Sequence, residues 1–187
     1  MKNETGKARQ TIKILAILAA ATSEVYAEST ARRLVVSIPD RKIALVEDGR
    51  VVKIYPIAVG KTSTPSPRGS FHITSRVQHP TWYQPGKVVA PGPQNPLGTR
   101  WMGLGYKGYG IHGTNVPLSI GKAASHGCIR MRNRDVEELF ALVEVGDSVE
   151  LVDEVTPELA EAFTEDRSEN APSRVAVARV SAAGGAQ

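Results

Sequence analysis

Lys42-Ile43-Ala44-Leu45-Val46-Glu47-Asp48-Gly49-Arg50 is the stretch on which the fold turns. Residues 42–47 alternate between polar ends and apolar positions, as a half-buried strand does. Asp48-Gly49 is a hairpin signal, because glycine takes the positive φ that a tight two-residue turn needs. Arg50 to Val59 then reads as the returning strand. Upstream, Leu34-Val35-Val36-Ser37-Ile38 is an apolar strand. Downstream, Phe71 to Thr74, Trp101 to Ile111 and Ser148 to Val152 are strands, the second interrupted by glycine. Gly60 to Gly69 is a loop rich in proline, serine and threonine. Residues 80–100 hold Pro80, Pro85, Gly86, Pro91, Gly92, Pro93, Pro96 and Gly98. That run is too long for an ordinary connection and is expected to be a functional loop or flap.

Helical signals are few. Pro117 to Lys122 reads as a short helical turn. Asn133 to Val145 is the clearest helix, with Val136, Leu139, Phe140 and Val143 at i, i+3, i+4 and i+7. Asn133 is the expected N-cap, Asp135, Glu137 and Glu138 lie near the positive end, and Gly146 stops it. Pro157 to Phe163 is a further candidate. The fold class is therefore mainly β, with one C-terminal amphipathic helix.

Residues 1–27 read as a secretory signal peptide. Lys2, Lys7, Arg9 and Lys13 precede the apolar run Ile14 to Ala21, and Val25-Tyr26-Ala27 offers small residues at a cleavage site. An uncleaved anchor is the competing reading, but eight apolar residues are short of the ~20 that a bilayer requires. The mature chain is expected not to span a membrane. Residues 28–152 carry 16 basic and 10 acidic side chains, whereas residues 153–187 carry 3 and 7. The basic domain suits an anionic polymer, although solubility alone accounts for such a charge. No nucleic-acid motif is present. The acidic tail, residues 153–187, is small and polar towards its end and is expected to be partly disordered.

The chain has one cysteine. In an exported protein an unpaired thiol is either buried and inert or reactive by purpose. Cys128 lies in Ser125-His126-Gly127-Cys128-Ile129-Arg130-Met131, which follows His112-Gly113-Thr114-Asn115. A thiolate is the nucleophile, and an imidazole can take the proton to leave a thiolate–imidazolium pair. If residues 126–128 are extended, His126 and Cys128 share a face. Proximity thus favours His126 as base, while His112 depends on the fold to bring it near. Backbone N–H groups beside the nucleophile are natural oxyanion donors. The Arg130 fork suits a substrate carboxylate. His72 and His79 read as structural or surface residues. His112, His126 and Cys128 match no strong zinc spacing, so neither metal nor cofactor is expected.

These two runs resemble the signature of the L,D-transpeptidase catalytic domain (YkuD-type) family. The likeness extends to Thr64-Pro65-Ser66-Pro67-Arg68-Gly69-Ser70-Phe71, to Asn95-Pro96-Leu97-Gly98 and to Trp101-Met102-Gly103-Leu104, and covers residues 33–152. The resemblance implies a β-sandwich-like domain over residues 28–152. It implies Cys128 as acyl-accepting nucleophile and His112 as base, its second ring nitrogen held by the Gly113 carbonyl. His126, Gly127, Gly113 and Ser125 would shape the oxyanion and substrate site, supported by Arg130. The implied partners are peptidoglycan stem peptides or a wall-anchored lipoprotein, and the implied location is periplasmic or cell-wall associated. The reaction the resemblance implies is 3→3 cross-linking through a thioester, and acylation by carbapenems is a family trait. Two other readings remain open: a carboxypeptidase using water on the same stems, and a non-catalytic wall-binding module.

Overall fold

The computed structural model describes residues 32–106, 108–154, 157, 160, 161 and 163. The expected signal peptide and residues 164–187 lie outside the described residues. In chain order the strands are β1 (Arg32–Ser37), β2 (Lys42–Glu47), β3 (Arg50–Pro56), β4 (Val59–Gly60), β5 (Gly69–His72), β6 (Ser75–Gln78), β7 (Trp82–Gln84), β8 (Lys87–Val89), β9 (Arg100–Gly103) and β10 (Gly110–His112). A 3-10 turn (Pro117–Ser119), β11 (Ala123–Ser125), β12 (Ile129–Arg130), helix α1 (Asn133–Leu142) and β13 (Ser148–Val152) follow.

The two larger sheets have the orders β3-β2-β1-β13-β5 and β12-β10-β9-β6, while β11 pairs with β4 and β7 with β8. The β2–β3 hairpin closes on Asp48 and Gly49, both at positive φ, 50° and 77°. Period two then sorts the first sheet. Leu34 and Val36, Ile43 and Leu45, and Val149 and Leu151 face inward. They meet Met102, Ile111 and Ile129 of the second sheet and Val136, Leu139 and Phe140 of α1. Val35, Ala44 and Val46 point the other way and are covered by Phe163, which is 5% exposed. At that point the segment after Val152 packs on the domain.

The helix differs from its sequence reading at both ends. Arg132 occupies the N-cap position, and the Asn133 carboxamide instead accepts the backbone N–H of Thr114 at 3.0 Å. Val143 is already extended at φ −113° and ψ 159°, although its side chain stays buried. The amphipathic stripe therefore outlasts the helix. Burial, not helical hydrogen bonding, keeps Val143 in the pattern. Residues 80–100 are also more ordered than a loop, since β7 and β8 form a hairpin within them.

Candidate active site

Strands β10 and β12 run parallel, with Ile111 opposite Ile129 and His112 opposite Arg130. Both isoleucines are fully buried in the core. Alternation turns His112 and Arg130 to the opposite face, and Cys128, one residue before β12, goes with them. All three line an open groove of about 1170 Å³, together with Ser125, His126, Trp101 and residues of the β7–β8 hairpin.

The His112 ring is 4% exposed and stacks on Trp101 at 5.7 Å between centroids. Its Nδ1 lies 2.6 Å from the Gly113 carbonyl oxygen. A carbonyl only accepts, so Nδ1 carries the hydrogen and Nε2 keeps its lone pair. Burial drives the imidazole pKa down to about 4, and the Arg130 cation adds to this, against the Gly113 and Leu97 backbone groups. Cys128 is half-buried, and its thiol donates to the Gly108 carbonyl at 3.3 Å. Burial pushes this thiol up, opposed by backbone hydrogen bonding from Gly110 and by the Arg130 charge. Desolvation therefore works against the thiolate–imidazolium pair expected from sequence, favouring the uncharged form of each group.

The turn at residues 125–128 corrects a second expectation. Residues 126–128 are not extended, because Gly127 adopts φ +111°. Ser125 is fully buried, and its Oγ accepts the Gly127 N–H at 2.9 Å and donates to the Cys128 carbonyl at 2.6 Å. His126 and Cys128 therefore do not share a strand face, and the exposed His126 sits at the groove rim. The Gly127 N–H is engaged by Ser125, so it is not an oxyanion donor in this arrangement. Gly113 is not one either: its N–H donates to the Arg100 carbonyl at 3.2 Å, and its carbonyl orients His112. Ser125 acts by holding the turn. Its own carbonyl accepts from Lys61 N–H at 3.1 Å and Thr64 Oγ1 at 3.2 Å, which ties the turn to the Thr64-Pro65-Ser66 run.

Arg130 is half-buried, and its backbone is locked to Ala58 by two hydrogen bonds of 2.8 and 2.9 Å. Among the described residues no carboxylate pairs with its guanidinium, and no Asp or Glu lines the groove. Sequence reasoning missed two supporting asparagines. Asn95 is fully buried. Its Nδ2 donates to the carbonyls of Pro80, Val89 and Ala90 at 2.7 to 3.2 Å, and its Oδ1 accepts Leu97 N–H at 2.8 Å. It joins the base of the β7–β8 hairpin to the segment beside His112. An asparagine before proline within a glycine-rich run was the available signal. Asn133 does the same for residues 113–114: a Cβ on Gly98 or Gly113 would stand 2.1 or 2.2 Å from its Oδ1.

Residues 31–151 match the profile of the L,D-transpeptidase catalytic domain, YkuD. The chain belongs to that family. It is 48% identical to the YkuD protein of Bacillus licheniformis, over 64% of each chain. It spans somewhat less than two thirds of that relative's length. Its fold is similar to the catalytic domain of the Enterococcus faecium L,D-transpeptidase, at TM-score 0.55 and 25% identity, covering 67% of this chain and 99% of that one. It is also similar to the L,D-transpeptidase LdtMt1 in complex with imipenem, at TM-score 0.55 and 26% identity, covering 66% and 59%. The mainly β architecture expected from the resemblance is therefore that of the L,D-transpeptidase catalytic domain, and its groove holds the cysteine and both histidines of the motif.

Proposed function

We propose that this L,D-transpeptidase domain transfers acyl groups between peptidoglycan stem peptides through a thioester on Cys128. One observation carries the reading. The only sulfhydryl of the chain and a buried imidazole whose Nδ1 is held by the Gly113 carbonyl line the same groove. Sγ attacks the carbonyl of the third stem residue, a diamino acid, while its proton passes to His112 Nε2. The tetrahedral oxyanion collapses, the C–N bond breaks, and His112 returns the proton to the departing D-alanine amine. An amine of a second stem then attacks the thioester, loses its proton to His112 and releases the thiol, leaving a 3→3 cross-link. Because burial favours the uncharged form of both groups, the reading has proton transfer accompany attack. With the N–H groups of Gly113 and Gly127 engaged, those of His126 and Cys128 are the remaining oxyanion donors of the motif.

The reading includes export. Residues 1–27 would serve as a signal peptide and deliver the domain to the periplasm or cell wall, where stem peptides or a wall-anchored lipoprotein meet it. No helix among the described residues is long and apolar enough to cross a membrane. Intact-mass measurement after incubation with imipenem tests the chemistry. A single covalent adduct on the wild type, absent in Cys128→Ala, is expected. Folded wild-type protein that stays unmodified overturns the reading. Products formed from a tetrapeptide with and without an amine acceptor then separate cross-linking from hydrolysis.

A further inference from the structure

Trp101 on β9 stands opposite His112 on β10. Their rings stack, with centroids 5.7 Å apart and planes 26° from parallel. The two strands are built to seat the indole there. Gly103 faces Gly110 two positions along the same ladder, on the same side as Trp101 and His112. A Cβ on Gly110 would stand 2.6 and 2.7 Å from Cη2 and Cζ2 of the indole, and one on Gly103 3.3 Å from its Nε1. Met102 and Ile111, between these pairs, point into the core and are fully buried. The indole thus rests on bare backbone, and a side chain at Gly110 would lift it off.

The imidazole needs such a wall. Its Nδ1 hydrogen bond to the Gly113 carbonyl fixes the direction of one nitrogen. The second side-chain torsion of histidine is broad, so packing must set the plane of the ring. We propose that Trp101 is a positioning residue for His112: its indole fixes the plane of the imidazole and keeps water off its face. The proposal rests on the acyl-transfer reading above, and adds a residue that acts through the base. Two effects of the indole oppose each other. Its π face favours an imidazolium by about 0.5–2 kcal/mol. Its exclusion of water disfavours one. With the indole in place the His112 pKa is still lowered to about 4, burial being the largest cause, so exclusion of water is the greater effect. Cys128 and Arg130 come to the groove from the β12 side, and His126, His79, Tyr83 and Lys87 line the rest. Arg100, the other charged side chain of β9, lies over the Phe140 ring. Among the described residues no Asp or Glu lines the groove. A change in the His112 titration on removal of the indole therefore reports the entry of water, not the loss of a carboxylate.

The test uses the full chain with Trp101→Ala and Trp101→Phe. The His112 ring signals, assigned by their loss in His112→Asn, are followed by NMR against pH without substrate. Acylation of Cys128 by imipenem is timed by mass. In Trp101→Ala, His112 should titrate at least about one pH unit higher than in the wild type, towards 6.5, and acylation should slow by roughly 10- to 100-fold. Trp101→Phe keeps a flat ring on the glycines and should restore most of both. Trp101→Leu, which keeps apolar bulk without the flat face, takes the place of Trp101→Ala if unfolding midpoints show that the alanine variant does not fold. A His112 titration that stays at its wild-type position without the indole overturns the proposal, whatever happens to the rate. So does Trp101→Phe behaving like Trp101→Ala. Wild-type protein that forms no adduct overturns the acyl-transfer reading instead, and the titration still decides whether the indole shields His112.

Discussion

The β2–β3 hairpin and the turn at residues 125–128 both bend on a glycine at positive φ, yet the two glycines are needed for different reasons. Gly49 has φ 77°, and a Cβ built on it would meet nothing within 4 Å. Gly127 has φ 111°, and its Cβ would stand 2.4 Å from the Tyr109 ring and 3.1 Å from the Pro65 carbonyl. The first glycine answers a local rule of backbone sterics. The second answers that rule and a crowd of neighbours distant in sequence. One region therefore stores stability, and the other stores geometry.

Substitutions separate these roles. Cys128→Ala should show the largest effect: acyl transfer falls by at least ~10⁴-fold, while the unfolding midpoint in urea barely moves. Leu45→Ala in the hairpin should do the reverse. It empties a core position that is 1% exposed, so about 2–5 kcal/mol of stability is lost while the rate per folded molecule holds. A Leu45 variant that is stable but inactive would erase the contrast.

The next effect is in pH. His112 has its pKa lowered from the ordinary 6.5 to about 4 in the folded protein. As pH falls below 6.5, the unfolded chain binds the proton first, so stability declines through that window and levels off below about 4. The loss is roughly 3 kcal/mol. Urea unfolding at a series of pH values should show this decline in the wild type and not in His112→Asn. An identical decline in both proteins would place its source elsewhere.

Gly127→Ala sharpens the comparison directly. A displaced Cys128 should cost roughly 100-fold in acylation rate, beyond any loss of stability. Gly49→Ala, where space is free, should cost only about 1 kcal/mol and leave the rate unchanged. Equal behaviour of the two glycine variants would mean that the Tyr109 and Pro65 contacts do not shape the site.

Much of the fold was legible. The strands β2 and β13 begin and end where alternation places them, and Asp48-Gly49 closes its hairpin, because these features depend on neighbours two residues away. The helix was legible in its buried face but not in its ends. Asn133 is an ordinary capping residue by local chemistry, and only the approach of Thr114 diverts its side chain. The β7–β8 hairpin was hidden by the glycine and proline around it. At the site, the motif marked Cys128 and both histidines. Local proximity favoured His126, and the Ser125 hydrogen bonds that bend the chain between it and Cys128 were invisible without coordinates.

By itself the sequence determined the strand-rich class, the lone sulfhydryl, the family and the charge of the domain, all of which are properties of residue type and short-range order. The folded structure alone decided that His112 and Arg130 lie opposite each other, that burial favours the uncharged thiol and imidazole, and that among the described residues no acid lines the groove beside Arg130. These depend on parallel pairing and on desolvation, and both arise only when segments far apart in the chain exclude water together.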